Sequence, residues 1–292
     1  MNKAGEAPLL LLFVSVKKTR LATPVIFVYN IIGKVQKFIT WLSHMNAILI
    51  LKGGNIVAKG LTFQRSEKKY LLTTAQYTAL RRVLDEHLVP DKYEKYTVCN
   101  LYFDTEQNDL IRRSIEKPLY KEKMRLRSYG VVGDEDKVFL EIKKKYKGVV
   151  YKRRIVLTYG EAKAYLYEGV PPRETGQIFR EIDYFIRFYK AAPKLYLSYD
   201  RVALCGVGGE KGLRVTFDRN IQSRTHDLDL SIPPSGEQLL EPDQWLMELK
   251  APGAVPLWLS EALTSLSIYP TSFSKYGKIY SRAQLRGQKE GE

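Results

Sequence analysis

Polar and apolar residues alternate with a period of two along much of the chain from residue 61 onward. The stretch Lys123-Met124-Arg125-Leu126-Arg127 shows this pattern most clearly, because a strand places its three cations on one face and its two apolar side chains on the other. The same alternation predicts seven further strands, over 63–72, 98–104, 138–145, 149–157, 195–204, 213–219 and 245–250. In most of them one face is apolar and the other carries charges that are mainly positive.

Helical spacing of apolar residues predicts helices between these strands. Thr73 or Thr74 caps the first helix, which runs through Leu84, and Pro90 is expected to end it. Further helices are predicted over 109–114, 159–167, 175–189 and 256–265. About eight strands with helices inserted between them indicate an α+β chain built on one antiparallel sheet system.

Residues 1–60 do not share this pattern. Their apolar runs, 9–16 and 25–32, are shorter than the roughly 18–20 residues of a membrane helix, and no small-x-small cleavage site follows the first run. A membrane-surface segment, a packed extension and a translated upstream region all fit. We favour the last, because Met45 offers an internal start. The predicted division is an N-terminal extension over 1–60, one domain over 61–282 and a polar tail over 283–292.

The charge balance narrows the classes of partner. The 292 residues include 47 Lys and Arg against 32 Asp and Glu, a formal net charge of +15. A field of this sign attracts nucleic acid, anionic membrane or phosphate chains. The two cysteines, Cys99 and Cys205, show no CxxC spacing, which fits a protein of the reducing cytoplasm.

The charged strand faces can either face solvent or face one another inside a closed barrel, since both fit the period. If helices cover the apolar faces, the charged faces line a lumen. A lumen rich in Lys and Arg requires water and an anion, and phosphate chains suit it because Arg binds phosphate oxygens bidentately. The acids on these faces either pair with cations or hold Mg²⁺ or Mn²⁺ between phosphoryl oxygens. These acids are Glu67, Glu141, Asp218 and Glu248.

Nine short motifs carry a resemblance to a known family. In chain order they are Arg65-x-Glu67-x-Lys69-Tyr70-x-Leu72, Tyr102-Phe103-Asp104, Lys123-x-Arg125-x-Arg127, Glu141-x-Lys143-x-Lys145, Lys152-Arg153-Arg154, Ser198-Tyr199-Asp200-Arg201, Arg214-x-Thr216-x-Asp218, Glu248-Leu249-Lys250 and Ser274-Lys275. Together they resemble the vacuolar transporter chaperone (VTC) domain, the catalytic domain of polyphosphate polymerases in the triphosphate tunnel metalloenzyme superfamily. The resemblance covers roughly 61–282 and corresponds to a stand-alone form.

The resemblance implies an eight-stranded antiparallel β-barrel with helices packed outside and a basic lumen. It implies an enzyme that transfers the γ-phosphoryl group of ATP to a growing polyphosphate chain with the help of Mn²⁺ or Mg²⁺. Two alternatives remain: a hydrolase of triphosphate or organic triphosphates with the same fold, and a non-catalytic polyanion-binding module. The expected partners are ATP and polyphosphate, with no specific nucleic acid, and the sequence does not identify a membrane partner.

The resemblance also implies roles for individual residues. The tunnel residues expected to hold the reacting phosphates are Lys69, Arg125, Arg127, Lys143, Arg201, Arg214 and Lys275. Further substrate contacts are expected from Lys123, Lys145, Lys152, Arg154, Tyr199, Lys250 and Ser274. Glu248 matches the acid that holds the metal, and which of the cations at 152–154 face inward is left open. Ser272 departs from the family pattern, because the eukaryotic members carry a further lysine there. Binding of the product chain is therefore expected to differ.

Overall fold

The computed structural model describes residues 47–52, 55–60, 66–147 and 149–289. The chain divides into two compact units, Met1–Gln64 and Arg65–Glu292. In the first unit, strands β1 (Ala47–Lys52) and β2 (Asn55–Gly60) form an antiparallel hairpin. The apolar runs noted above, 9–16 and 25–32, lie outside the described residues.

The second unit is built on one antiparallel sheet. Its strands are β3 (Ser66–Thr73), β4 (Leu88–Asp104), β5 (Tyr120–Tyr129), β6 (Lys137–Tyr146), β7 (Val149–Thr158), β8 (Ala192–Gly206), β9 (Arg214–Arg224), β10 (Glu237–Gln238), β11 (Gln244–Ala251) and β12 (Pro270–Thr271). They pair in the order β12-β3-β11-β9-β8-β4-β5-β6-β7, and β10 pairs with β9. The eight long strands are those that the alternating pattern predicts.

The sheet is open along its hydrogen-bonding path. Among the described residues β7 pairs only with β6, so the predicted closure into a barrel is not confirmed. The sheet is nevertheless curved, since Lys123 Nζ on β5 lies 3.4 Å from Ser274 Oγ, three residues beyond β12 at the other side of the strand order. The segment that follows β12 therefore lies close to the side chains of β5.

Among the described residues there are six α-helices, five of them between strands and one after β12. They are α1 (Thr74–Asp85), α2 (Asp109–Ile115), α3 (Tyr159–Lys163), α4 (Gln177–Tyr189), α5 (Leu257–Ser265) and α6 (Lys275–Lys289), with a π-helical turn over Ala164–Glu168 and a 3₁₀ turn over Gly208–Glu210. The predicted cap of α1 is Thr73, whose hydroxyl accepts from the Gln76 backbone N–H while the Gln76 side chain accepts from the Thr73 N–H. In the part of the chain that the structure describes, no helix is both long and apolar enough to cross a bilayer.

Pro90 does not end α1, contrary to the prediction. The helix ends at Asp85, and β4 begins at Leu88, so Pro90 lies within the strand. It sits at a register shift between β4 and β8 that extends to Lys95. A bulge of this kind accommodates a residue that has no N–H to donate.

Helix α6 also extends beyond the predicted domain end. The segment predicted as a polar tail, 283–292, begins inside α6, which continues to Lys289. Arg282 donates to the carbonyl oxygens of Gln238 and Leu239 at 2.8 and 3.1 Å. These bonds tie the last turns of the helix to the strand β10 region.

Helices cover the apolar face of the sheet. Ile182 and Phe185 of α4 belong to the same buried cluster as Leu101, Met124 and Leu140 from three strands. A second cluster joins α1 and α5 to strands β3, β9 and β11. The charged strand faces therefore lie on the opposite side, which we call the inner face. Part of that face is apolar and packs against Tyr276 of α6.

Candidate functional site

The cross-strand register sorts the charged residues of the inner face into rows. Lys123 on β5 lies opposite Lys143 on β6, which lies opposite Lys152 on β7. In the next row Arg125 lies opposite Glu141, which lies opposite Arg154. On the other half of the sheet, Glu248 on β11 lies between Lys69 on β3 and Thr216 on β9. Strand alternation thus carries every one of these side chains to the same face.

Two cations share the Glu141 carboxylate. Arg125 Nε and Nη2 lie 2.8 and 2.7 Å from Oε2, and Lys152 Nζ lies 2.7 Å from Oε1. Glu141 is only 2% exposed. Burial alone would raise the pKa of its carboxyl, but Arg125, Arg127 and Lys152 lower it to about 2. Glu141 is therefore an anion at all ordinary pH values, and its oxygens are committed to ion pairs.

A second buried carboxylate has the same arrangement. Asp218, 1% exposed, accepts from Arg201 Nε and Nη2 at 2.6 and 2.8 Å and from Lys275 Nζ at 2.6 Å. Burial opposes the charged form, yet the two cations hold the pKa of Asp218 below its usual value. Each group, Arg125–Glu141–Lys152 and Arg201–Asp218–Lys275, keeps one surplus positive charge. We refer to these six residues as the paired centre.

Arg127 is buried beside neutral partners. Its Nε donates to Asn100 Oδ1 at 3.0 Å, and its Nη2 donates to Tyr199 OH at 3.3 Å. Among the described residues no carboxylate lies within ion-pair distance of this guanidinium. Buried charge without an ionic partner is costly, so an anion at this position would stabilise the folded protein.

A cavity of about 510 Å³ opens at one end of the inner face, where β5 begins and β6 ends. Seven of its lining residues are lysines and none is acidic; these are Lys69, Lys117, Lys121, Lys123, Lys143, Lys145 and Lys278. We call this cavity the lysine pocket. Where hydrogen bonds form, the acceptors are neutral: Lys69 Nζ donates to the Phe273 carbonyl at 2.9 Å, and Lys121 Nζ to the Ser114 carbonyl at 3.0 Å.

Three of the ammonium groups in the lysine pocket have lowered pKa values. The pKa of Lys123 is lowered to about 8, chiefly by burial; Tyr102 raises this pKa, and the neighbouring Lys121, Lys69 and Lys143 lower it. Burial likewise lowers the pKa of Lys69 and Lys121. These shifts mean that the pocket disfavours its own charge unless a multivalent anion occupies it.

Tyr102 lies between the paired centre and the lysine pocket. Its hydroxyl accepts from Arg125 Nη1 at 3.2 Å. Burial would raise the pKa of this phenol, but Arg125, Arg127 and Lys123 lower it to about 8. Burial also lowers the pKa of Lys152 to about 8, although Glu141 raises it.

Glu248 is the acid best suited to a divalent metal. Its Oε1 lies 2.6 Å from Lys250 Nζ, and Lys250 and Lys69 hold the pKa of its buried carboxyl well below its usual range. Mg²⁺ is commonly held by one or two carboxylates together with phosphate oxygens of the substrate. Glu248 fits that donor set, whereas Glu141 and Asp218 do not, because each is shared by two cations. No group of three Asp, Glu, His or Cys residues positioned for a metal occurs among the residues described.

Comparison with protein families decides the relationship. The family model of the VTC domain matches residues 64–283. The chain belongs to the VTC domain family. No curated protein matches the chain significantly.

Several solved structures resemble this VTC domain. A candidate adenylate cyclase of Bacillus halodurans is 18% identical, with a TM-score of 0.46 and coverage of 71% of this chain and 92% of the other. A candidate adenylate cyclase of Vibrio parahaemolyticus is 9% identical, with a TM-score of 0.40 and coverage of 74% and 97%. The PH1819 protein of Pyrococcus horikoshii is 12% identical, with a TM-score of 0.38 and coverage of 75% and 99%. Likenesses this distant say nothing about activity.

The VTC domain brings together most of the residues expected from the sequence. The cations on its inner face include Lys69, Lys123, Arg125, Arg127, Lys143, Lys145, Lys152, Arg154, Arg201, Arg214, Lys250 and Lys275. Of the three cations at 152–154, Arg153 points to the helix side, where its Nη1 lies 2.6 Å from Glu181 of α4. Glu67 is exposed and lies opposite Lys250. Ser272, the departure from the family pattern, lines the lysine pocket.

Sequence reasoning missed three lysines of the pocket. Lys121 lies two positions before Lys123, so the strand alternation could have included it. Lys117 lies in the connection before β5, and Lys278 lies on α6. Their contribution depends on how a loop and a helix pack, and the period of the strands carries no information about that.

Proposed function

We propose that this VTC domain is a polyphosphate polymerase that transfers the γ-phosphoryl group of ATP to the end of a polyphosphate chain. The observation that carries the proposal is the lysine pocket, a cavity with no acidic side chain among its described lining residues. Along β5 this pocket is followed by the half-buried Arg125 and the buried Arg127. A chain of phosphates presents regularly spaced negative charges to such a surface. The proposal includes the sheet enclosing the phosphate chain as a tunnel.

The residues of the inner face would act by alignment and charge neutralisation. The guanidinium groups of Arg125 and Arg201 are held in place by Glu141 and Asp218, so their remaining donors are already oriented when a triphosphate arrives. Arg127 adds a buried charge whose hydrogen-bond partners among the described residues, Asn100 and Tyr199, are neutral. Phosphoryl transfer depends chiefly on positioning and on stabilising the charge of the equatorial oxygens.

Glu248 would hold the divalent metal together with phosphate oxygens of the substrate. When bound, Mn²⁺ or Mg²⁺ neutralises charge that develops on the phosphoryl oxygens. The Glu248 carboxylate is ionised under all working conditions, because Lys250 and Lys69 lower its pKa.

Transfer to phosphate suits this site better than hydrolysis does. Attack by water gains from a general base, and the acids Glu141, Asp218 and Glu248 all lie within ion pairs that lower their pKa values. The terminal oxygen of a polyphosphate is already anionic and requires no base. This difference favours the polymerase over the hydrolase among the candidate activities.

Analysis of the products tests the proposal. The full-length protein is incubated with ATP and Mn²⁺, and the products are separated by gel electrophoresis. The proposal expects a ladder of polyphosphate chains. Free phosphate as the sole product would replace the proposal with a hydrolase, and binding without turnover would leave a polyanion-binding module.

We also propose that residues 1–60 are dispensable for this chemistry. The inner-face residues described here all belong to the unit Arg65–Glu292. A protein that begins at Met45 is therefore expected to synthesise polyphosphate at an unchanged rate per molecule, and a loss of synthesis would contradict this.

A further inference from the structure

An aromatic cluster lies at the opposite end of β5 from the lysine pocket. Tyr129 ends β5, Phe139 lies near the start of β6, and Tyr96 lies on β4. The ring centroids of Tyr129 and Phe139 are 5.6 Å apart, and those of Tyr96 and Tyr129 are 5.5 Å apart, both edge to face. The guanidinium of Arg154 lies over the Phe139 ring, 4.8 Å from its centroid. We call these four residues the aromatic mouth.

The inner face of β5 changes in chemistry from one end to the other. Its successive inner residues are Lys121, Lys123, Arg125, Arg127 and Tyr129. Neighbours in this series are about 7 Å apart, because a strand rises about 3.4 Å per residue. Arg127 lies opposite Phe139 in the register and therefore borders the aromatic mouth directly. The two ends of the site consequently differ: one is lined by lysines and the other by aromatic rings.

The aromatic mouth includes an exposed ring, and a hydrogen-bond donor without a partner, on Arg214, lies beside it. Tyr129 is 49% exposed, which is unlike an aromatic ring whose only role is to fill a core. Arg214 borders Tyr96, with its Nη2 3.5 Å from the hydroxyl and 2.7 Å from Asp91 Oδ2. Its Nε is buried and has no hydrogen-bond partner in the part of the chain that the structure describes. A buried donor without a partner is rare in folded proteins and points to a ligand.

We propose that the aromatic mouth binds the base and ribose of the nucleoside triphosphate, so that the triphosphate extends past Arg127 and Arg125 towards the lysine pocket, which holds the polyphosphate chain. This inference rests on the proposed function and assigns the two ends of the site to two substrates. Tyr129 offers an exposed ring for stacking, Arg154 adds a cation, and Arg214 Nε offers a donor to the ribose or the α-phosphate. Stacking of this type tolerates any base, since every base has a π-face.

Binding of ATP is compared with binding of tripolyphosphate, which lacks the nucleoside. Both are titrated into the full-length protein at one fixed salt concentration and without turnover. We expect Tyr129→Ala to weaken ATP binding about tenfold and tripolyphosphate binding less than twofold, because stacking on an aromatic ring is lost only for ATP. Tyr129→Phe, which keeps the ring, should bind both ligands as the wild type does.

Tyr146→Ala is the matched control. Tyr146 is 48% exposed at the other end of β6, on the same side of that strand as Lys144, which contacts Glu181 of α4. It should bind both ligands normally. Tyr129→Leu is measured in parallel, since it keeps apolar volume against Phe139, and it should show the same selective loss.

Two results would overturn the inference: unchanged ATP binding in Tyr129→Ala and Tyr129→Leu, or equal losses for ATP and tripolyphosphate. A wild-type protein that binds neither ligand would contradict this inference and the proposed function together. A protein that shows the selective loss yet makes no polyphosphate would contradict the polymerase assignment alone.

Discussion

The lysine pocket and the paired centre are both basic, but they differ in whether carboxylates neutralise their cations. In the paired centre each buried carboxylate, Glu141 or Asp218, is shared by two cations within 2.8 Å. In the lysine pocket none of the described lining residues is acidic, and the pKa of Lys123 is lowered to about 8, chiefly by burial. The first arrangement fixes side-chain positions before a ligand arrives. The second arrangement leaves an excess of positive charge that a polyanion can neutralise.

The largest expected effect comes from the paired centre. Arg125→Ala should abolish ATP-dependent polyphosphate synthesis, with a loss of at least about 10³-fold, because arginine contacts to a transferring phosphoryl group have effects of this size. Synthesis is measured with ATP and Mn²⁺, and circular dichroism checks the fold. Arg153→Ala is the control, since this arginine lies on the helix side. Equal rates of polyphosphate synthesis in the two variants would show that the paired centre does not take part in the reaction.

Glu248→Gln should separate metal-assisted chemistry from anion binding. We expect synthesis to fall at least about 10²-fold, since the metal contributes several kcal/mol to charge stabilisation. Binding of tripolyphosphate in the presence of EDTA should be unchanged or tighter, because the substitution removes one negative charge from the inner face. Retained Mn²⁺-dependent synthesis would show that Glu248 does not hold the metal.

Affinity for tripolyphosphate should decrease as the pH rises from 7 to 9. The pKa values of Lys123, Lys152 and Tyr102 are each about 8, and loss of a proton from each group makes the inner face one unit less positive. Titration at fixed ionic strength measures the profile. Lys123→Arg stays charged across this range, so its profile should be flatter than that of the wild type. Identical profiles would mean that Lys123 does not contact the anion.

The smallest expected effect is that of Lys278→Ala. This lysine is exposed at the rim of the lysine pocket, so solvent and salt screen its charge. We expect tripolyphosphate affinity to fall two- to threefold at low salt, about 0.5 kcal/mol, and the difference to vanish at high ionic strength. A larger loss that persists in salt would place Lys278 inside the site.

The sequence predicts the features that follow from the alternation of polar and apolar residues, namely the strands and the face on which each side chain lies. Alternation predicts that Lys123, Arg125 and Arg127 share a face, because one residue of slip would reverse every side chain. It does not predict the register, which places Glu141 opposite Arg125 and Arg154, nor the side-chain contacts by which Arg125 and Lys152 both pair with the Glu141 carboxylate. Register depends on pairing between distant segments.

The two ends of the site show the same limit. The lysine pocket depends on Lys117 and Lys278, which lie outside the strands, so their positions follow from tertiary packing. The residues of the aromatic mouth all lie on predicted or observed strands, yet only the sheet order brings Tyr96, Tyr129 and Phe139 into contact. The bulge around Pro90 was not predicted either, because a proline after a helical pattern usually indicates the end of a helix.

The claim that the lysine pocket carries unneutralised positive charge is tested most directly by tripolyphosphate binding to the full-length protein at pH 8.5. The quantity to measure is the number of protons taken up or released on binding. Calorimetry in two buffers of different ionisation enthalpy measures that number. Because an anion favours the charged form of Lys123, whose pKa is about 8, the account predicts tight binding with net uptake of protons. Absence of binding, or binding without proton uptake, would contradict the claim that the lysine pocket is a phosphate-chain site.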